Sequence, residues 1–194
     1  MKTIVTAIIA ALLAYPALAA DITSSVTAAD VPEKERTKLG LYLTSQEAAT
    51  ALSANPDIVF VDVRDPVEVM FVGHPDPVDA VVPFRFVSYT YNAKRGAYGM
   101  DPNPAFVDEV NAVMERLGRS PSDPVFVSCQ TGGRTARAVD ALAAAGYIQV
   151  YALFEGIEGD LNAETGRRDI NGWKNAGLPW SYKLTPEVAW HPPK

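Results

Sequence analysis

Two mainly apolar runs stand out in the chain, at 58–63 (Ile-Val-Phe-Val-Asp-Val) and at 125–128 (Val-Phe-Val-Ser). Both are rich in β-branched and aromatic residues, which favour strands. A strand that is apolar at almost every position is typical of the centre of a parallel sheet, where both faces are covered. Shorter apolar stretches at 41–43, 80–82 and 149–151 predict three further strands.

Helical signals occupy the intervals between these strands. Thr44-Ser45-Gln46-Glu47 has the residues of a capping box and predicts a helix directly after it. A proline begins a helical turn at 66–71, apolar residues recur at helical spacing over 106–117, and an alanine-rich helix is predicted at 135–145. Because strands alternate with helices, the sequence predicts an α/β domain with a mostly parallel, five-stranded sheet.

The remaining segments show neither the apolar spacing of a strand nor that of a helix. Glycine and proline at 73–77 predict a rigid loop, and the tyrosine- and glycine-containing stretch at 88–104 predicts a long irregular loop. A second long loop is predicted for the acidic stretch at 155–171. Residues 171–179 are interpreted as a short terminal helix and its exit, which a loosely held tail follows.

The first twenty residues have the organisation of a secretory signal peptide. Lys2 precedes an apolar run at 4–13, and small residues at 17–20 supply a cleavage site of the A-x-A type. The apolar run is shorter than the about 20 residues that a membrane-spanning helix needs. We therefore expect a periplasmic or secreted protein that is not held in a membrane once the signal is cleaved.

Four segments make up the predicted domain organisation. They are a signal peptide at 1–20, an N-terminal extension at 21–40, one globular domain at 41–180 and a C-terminal tail at 181–194. The extension is polar, so we expect it to be either a mobile leader or a lightly packed arm. With 194 residues, of which 48% are hydrophobic, the chain is long enough for one domain with its own core.

Charge and histidine content narrow the set of partners. The net charge is −6 at pH 7, so nucleic acid is not an expected partner. A protein of this charge that binds an anion has to concentrate its positive residues in one place. His74 and His191 are the two histidines and lack metal-ligand spacing, so no metal or other cofactor is expected.

Cys129 is the single cysteine of the chain, so no internal disulfide can form. A lone cysteine in an exported protein is either a small buried hydrophobe or a free reactive thiol. Here it ends a predicted strand and precedes a predicted helix. Three features of this position favour the thiolate, namely the free amides and dipole of the helix N-terminus, the backbone nest allowed by Gly132 and Gly133, and the charge of Arg134. Arg137 lies one helical turn further on.

The segment Cys129-Gln130-Thr131-Gly132-Gly133-Arg134-Thr135 resembles the C-x-x-G-x-R-[ST] active-site loop of rhodanese-like sulfurtransferases. The resemblance extends in the family's order from Leu41 to Pro179. Its other parts are Val61-Asp62-Val63-Arg64-Asp65-Pro66 with Glu68, Gly73-His74 with Ala80 and Pro83, Ala144-Ala145-Gly146-Tyr147 with Val150-Tyr151 and Gly156-Ile157, and Trp173-Lys174-Asn175-Ala176-Gly177-Leu178-Pro179.

The resemblance implies a rhodanese-like, doubly wound fold with helices on both faces of the sheet. It also implies a sulfurtransferase in which Cys129 attacks the outer sulfur of a small anionic donor such as thiosulfate and carries that sulfur as a persulfide. A thiol or a protein then accepts the sulfur. The residues that the resemblance assigns to binding the persulfide and the substrate are Gln130, Thr131, Gly132, Gly133, Arg134 and Thr135.

Asp62, Arg64 and Arg137 are expected to support the site. Asp62 ends an apolar run, and we expect it to form hydrogen bonds, together with Arg64, that hold the loop near the site. A role for Asp62 as a general base is the alternative.

Two other functions stay open for this fold. Related phosphatases and arsenate reductases have five residues between cysteine and arginine, whereas four lie between Cys129 and Arg134. The shorter loop favours sulfur transfer over chemistry on a tetrahedral oxyanion. A non-catalytic binding module in the periplasm is the other alternative, because the loops predicted at 88–104 and 155–171 offer surfaces for a partner.

Overall fold

The computed structural model describes residues 21–192. A short 3-10 helix at Glu33–Glu35 precedes the first strand. The strands and helices then follow in the order β1 (Tyr42–Leu43), α1 (Ser45–Ala54), β2 (Val59–Asp62), α2 (Pro66–Val72), β3 (His74–Pro75), β4 (Ala80–Val81), β5 (Arg85–Asn92), β6 (Ala97–Pro102), α3 (Phe106–Arg116), β7 (Val125–Ser128), α4 (Gly133–Ala144), β8 (Val150–Leu153) and β9 (Trp180–Ser181).

The central sheet has five strands in the order β1-β8-β7-β2-β4, and all of its pairings are parallel. The two long apolar runs pair directly with each other, because Val59 lies opposite Val125 and Asp62 lies opposite Ser128. Both β2 and β7 are buried at every position. The α/β fold and its five-stranded parallel sheet are therefore confirmed.

Hydrophobic clusters cover both faces of this sheet. One cluster joins it to α3 and α4 through Val61, Val127, Val110 and Leu142. The other joins it to α1 through Phe60, Phe126, Ala48 and Trp173. Successive residues of a strand point to opposite faces, so each apolar run contributes to both clusters. The predicted placement of helices on both faces is confirmed.

Residues 88–104 are not an irregular loop, as the sequence predicted, but belong largely to an antiparallel hairpin of β5 and β6. Arg85 pairs with Pro102, and a bulge lies between Val87 and Tyr91. The outer part of the hairpin is exposed on both faces. Since neither face enters the core, the strands lack the alternation of apolar and polar residues that predicts a strand.

Two other local predictions were wrong. His74 and Pro75, expected in a loop, form β3, which pairs with Trp180 and Ser181 of β9. Residues 171–179 form turns instead of a short helix. Their two glycines have φ values of +93° and +68°, which are incompatible with a right-handed helix.

Both flanking segments contact the domain. In the N-terminal extension Val31 is buried in the core, and the hydroxyl of Ser24 donates a 2.6 Å hydrogen bond to the carbonyl of Tyr42. The tail was expected to be loosely held, but the carbonyl of Val188 accepts a 2.7 Å hydrogen bond from the amide of Val81 in β4. The predicted signal peptide lies outside the described residues. No helix within 21–192 is long and apolar enough to cross a bilayer.

Candidate active site

Cys129 directly follows β7 in the middle of the sheet and lies four residues before α4 begins. Ligands of open α/β sheets bind at this carboxyl edge. The residue is 1% exposed, yet it lines a cavity of about 700 Å³. Two hydrogen bonds fix the backbone here, because Ile157 donates to the carbonyl of Cys129 at 2.8 Å and Glu158 donates to that of Gln130 at 3.0 Å.

The backbone amides from Gln130 to Thr135 form a row of free donors in the described part of the chain. No acceptor for any of these six N–H groups is found among residues 21–192, and the first intrahelical bond of this turn is donated by Ala136 to the carbonyl of Gly132 at 3.0 Å. Gly132 is the N-cap and supplies no side-chain oxygen. Free amides at a helix N-terminus attract anions, so the loop can stabilise negative charge on the sulfur of Cys129 or on an atom bound to it.

Glycine is required at one of the two adjacent positions in this loop. Gly132 has φ +91°, and a Cβ atom there would lie 2.2 Å from the carbonyl oxygen of Phe154. Gly133 has an ordinary φ, and among residues 21–192 no atom outside its own helix backbone lies within 4 Å of its would-be Cβ. Gly156 packs against the other side of the loop, since a Cβ atom at Gly156 would lie 2.5 Å from the carbonyl oxygen of Gln130. Close backbone packing therefore fixes the shape of the loop.

Arg134 lines the cavity and forms a bidentate ion pair with Glu68 of α2. Its Nη1 lies 2.5 Å from Oε2, and its Nη2 lies 2.7 Å from Oε1. Burial alone would lower the pKa of Arg134, but the hydrogen bonds to Glu68 and the charges of Cys129 and Glu68 raise it above its ordinary value. Burial likewise favours a raised pKa for Glu68, and the contacts with Arg134 outweigh it, so that pKa is lowered. The pair is fully charged at neutral pH.

The structure brings most of the predicted site residues to the cavity. Cys129, Gln130, Thr131, Gly133, Arg134 and Arg137 line it. Gln130 is held from outside by a 2.5 Å hydrogen bond from its side-chain amide to Oε2 of Glu158. Thr135 is fully buried in the first turn of α4, and its hydroxyl finds no hydrogen-bond partner within residues 21–192.

Asp62 and Arg64 lie beside the site but do not line the cavity. Both are completely buried, and Nη2 of Arg64 lies 2.6 Å from Oδ2 of Asp62. The same nitrogen donates a 2.7 Å hydrogen bond to the carbonyl of Gly73. Asp62 ends β2 and lies opposite Ser128, and Ser128 is the residue that precedes Cys129. This pair joins the carboxyl end of β2 to the end of α2.

Several cavity residues were not predicted from the sequence. Glu68 and the hairpin residues Arg85, Arg95, Tyr98 and Met100 all line the cavity. Glu68 had a local signal, because Asp65-Pro66-Val67-Glu68 is a capping box at the start of α2. Its pairing with Arg134, 66 positions later, has no local signal. Within 21–192, no group of three or more His, Cys, Asp or Glu side chains is arranged to hold a metal ion.

A model of the rhodanese-like domain matches residues 45–163, which include the Cys129 loop and β2. The chain belongs to the rhodanese-like domain family. This confirms the resemblance seen in the sequence. The match also explains why the parallel sheet and the loop before α4 occur together here.

Sulfurtransferases are among the rhodanese relatives of this chain. It is 35% identical over 89 residues to the chloroplastic thiosulfate sulfurtransferase 16 of Arabidopsis thaliana, a stretch that covers 44% of this chain and 56% of the plant protein. The chain thus spans little more than half the length of that relative. The crystal structure of Rv0390 from M. tuberculosis is 33% identical, with a TM-score of 0.56, and the likeness covers 72% of this chain and 96% of Rv0390.

Proposed function

We propose that the protein is a sulfurtransferase that carries sulfane sulfur as a persulfide on Cys129. The observation that carries this proposal is that Cys129 lines a cavity and immediately precedes six backbone amides that find no acceptor among residues 21–192. Free amides that the fold holds at a helix N-terminus stabilise an anionic sulfur without reorganising during the reaction. The named sulfurtransferase among the relatives supports the same activity.

The first half-reaction loads the protein with sulfur. The thiolate of Cys129 attacks the outer sulfur of a thiosulfate-like donor and forms a new S–S bond. The S–S bond of the donor breaks, and sulfite leaves with the electron pair of that bond. The amides from Gln130 to Thr135 then surround the terminal sulfur of the persulfide, which is covalent catalysis by an activated thiolate.

The second half-reaction transfers the sulfur from Cys129 to an acceptor. A thiolate or cyanide attacks the terminal sulfur, so that the acceptor becomes a persulfide or thiocyanate and Cys129 leaves as a thiolate. No electrons enter or leave the cycle, and no cofactor is needed. The single cysteine is sufficient, because the acceptor comes from outside the chain.

Loop size supports sulfur transfer over the alternatives. Four residues separate Cys129 from Arg134, and Gly132 packs so closely against Phe154 that no Cβ atom fits between them. The two oxygens of Glu68 also occupy the Nη1–Nη2 face of Arg134, so this face does not bind an oxyanion substrate. A pure binding module would not require free amides around a thiol.

Intact mass spectrometry after incubation with thiosulfate tests this function. We expect the wild-type protein to gain the mass of one sulfur atom and to lose it again on addition of cyanide. Cys129→Ser should gain nothing. Absence of the adduct on the wild-type protein would overturn the proposal, and release of phosphate from a generic phosphoester would instead favour phosphatase chemistry.

The predicted signal peptide supports export, and we propose a periplasmic or secreted location. The donor would then be a small sulfur anion of that compartment, and the acceptor a thiol or a protein. Neither nucleic acid nor, after cleavage, a membrane is part of this proposal. Expression of the full chain with cell fractionation tests it, since an exported protein should begin near Asp21 when its N-terminus is sequenced. A fractionated protein that keeps Lys2 and stays in the cytoplasm would contradict export.

A further inference from the structure

The β5–β6 hairpin forms one wall of the Cys129 cavity. Arg85, Val87, Tyr98 and Met100 line it from the two strands, and Arg95 lines it from the turn. The hairpin is fixed at its base, where the amide of Val87 donates a 2.7 Å hydrogen bond to Oδ2 of Asp65. This wall therefore has a defined position relative to α2 and to the thiol.

Arginine dominates the charge of the cavity. Four arginines and one glutamate line it, and that glutamate, Glu68, is already paired with Arg134. The other three, Arg85, Arg95 and Arg137, form no ion pair and no side-chain hydrogen bond with any residue of the described part of the chain. In a chain of net charge −6, three uncompensated arginines around one cavity are a local concentration of positive charge.

These arginines approach the cavity from opposite sides. Arg137 lies on α4, one turn beyond Arg134, whereas Arg85 and Arg95 lie on the hairpin. A guanidinium group has the planar, forked geometry that binds a carboxylate through two hydrogen bonds. The arrangement therefore fits a ligand that carries carboxylates and lies between α4 and the hairpin.

The cavity is also larger than a small sulfur anion needs. Thiosulfate has five heavy atoms, which fill only about 150 Å³ if each is given the volume of a water molecule. The cavity measures about 700 Å³, within the range of sites that enclose small organic ligands. Much of it remains for an acceptor that approaches the persulfide from the side of the hairpin.

We propose that the hairpin side of the cavity is an acceptor subsite for a small thiol that carries carboxylate groups, with Arg85, Arg95 and Arg137 as its binding residues. This inference rests on the proposed sulfurtransferase function. The acceptor thiolate attacks the terminal sulfur of the Cys129 persulfide and becomes a persulfide itself, while Cys129 leaves as a thiolate. The arginines bind the carboxylates and take no part in the exchange of bonds.

A series of thiols of similar size tests the subsite. Mercaptoethanol, 3-mercaptopropionate and mercaptosuccinate carry no, one and two carboxylates. With thiosulfate as the donor, KM for the acceptor is measured for the wild-type protein, Arg95→Gln, Arg85→Gln and Lys94→Gln. Lys94 is the matched control, because it is a neighbouring cation of the hairpin that does not line the cavity.

We expect each of the two arginine variants to raise KM for mercaptosuccinate about fivefold, the upper range for a partly exposed charge pair. KM for mercaptoethanol and for cyanide should stay unchanged, and Lys94→Gln should behave as the wild-type protein. Because thiols differ in intrinsic reactivity, the decisive quantity is the ratio between variants for the same thiol. Equal effects on the charged and the neutral thiol, or equal effects of Lys94→Gln and Arg95→Gln, would overturn the subsite.

Binding without turnover separates this proposal from the proposed function. S-methyl mercaptosuccinate has no free thiol, and its affinity for Cys129→Ser is measured by calorimetry with and without Arg95→Gln. A Kd that rises about fivefold in the double variant supports the subsite even if the wild-type protein forms no sulfur adduct. No binding, or a Kd that Arg95→Gln leaves unchanged, overturns it even if sulfur transfer to cyanide is normal.

Discussion

Glu68 binds Arg134 through both of its carboxylate oxygens and at the same time caps its own helix. Oε2, which lies 2.5 Å from Nη1 of Arg134, also accepts a 3.0 Å hydrogen bond from the amide of Asp65, the N-cap of α2. One side chain therefore joins the start of α2 to the loop that holds Cys129. The position of Arg134 in the cavity depends on this carboxylate.

Replacing Glu68 by glutamine should destabilise the protein by about 1.5–3 kcal/mol, the range for hydrogen bonds to charged groups. The matched control is Glu47→Gln. Glu47 also closes a capping box, at α1, but its partner outside the box is the neutral amide of Ser25. We expect a smaller loss there, about 1 kcal/mol. Urea unfolding of the two variants gives both values, and equal losses would show that the Arg134 contact adds nothing.

Breaking the buried Asp62–Arg64 pair should destabilise the protein more than Glu68→Gln does. In Asp62→Asn the guanidinium of Arg64 stays buried without a counter-charge, which should cost about 3–5 kcal/mol. Asp57→Asn is the control, because Asp57 pairs with Arg119 at the surface and should contribute about 0–1 kcal/mol. Denaturant midpoints measure both, and the double change Asp62→Leu with Arg64→Met should recover much of the loss. A cost for Asp62→Asn as small as that for Asp57→Asn would contradict the buried pair.

Adjacent glycines in the loop should respond differently to alanine. Gly132→Ala combines a left-handed φ of +91° with a Cβ atom 2.2 Å from a carbonyl oxygen, so we expect a loss of more than about 2 kcal/mol. Gly133→Ala meets no atom and should change the free energy of unfolding by less than about 1 kcal/mol. Thermal unfolding of the two variants compares them. Similar melting temperatures would mean that the loop does not pack on Phe154 as described.

Glu35 makes the free energy of unfolding depend on pH. Burial raises the pKa of its carboxyl above the ordinary value, the charge of Asp160 adds to this, and Lys34 only partly opposes it. The folded state therefore holds this proton more tightly than the unfolded state does. The contribution of this tighter proton binding to the stability of the folded state is fully present below the unfolded pKa, about 4.3. It is lost as the pH rises through the folded pKa.

At pH 8 we therefore expect Glu35→Gln to melt at a higher temperature than the wild-type protein. At pH 4 this gain in melting temperature should be smaller, or Glu35→Gln should melt at the lower temperature. Glu33→Gln, an exposed change in the same 3-10 helix, should show no such dependence on pH. Scanning calorimetry at the two pH values measures both variants. A stabilisation by Glu35→Gln that is equal at pH 4 and pH 8 would contradict the tighter proton binding of the folded state.

The sheet and the cysteine loop were predictable because their signals are local and strong. A strand that is covered on both faces is apolar at nearly every position, as 58–63 and 125–128 are apart from Asp62 and Ser128. The loop has its cysteine, glycines and arginine within seven consecutive residues. Family resemblance then placed these residues in one site, and the structure brings most of them to one cavity.

The hairpin and the Glu68–Arg134 pair were not predictable in the same way. Tyr89 and Tyr91 are exposed, so no buried face produced an apolar alternation in β5. The pairing of Glu68 with Arg134 and the shared cavity of Arg95 and Cys129 arise only when distant segments fold together. Such contacts depend on tertiary structure and leave no pattern in one sequence.

The depth of Cys129 decides how oxidation can reach it. A disulfide requires Cα atoms within about 7 Å of each other, and two folded copies cannot approach so closely when Cys129 is 1% exposed in each. Covalent dimers of the folded protein are therefore excluded even in an oxidising compartment. Small oxidants can still enter, so damage should accumulate as sulfinic and sulfonic acid on the thiol instead of as cross-linked protein.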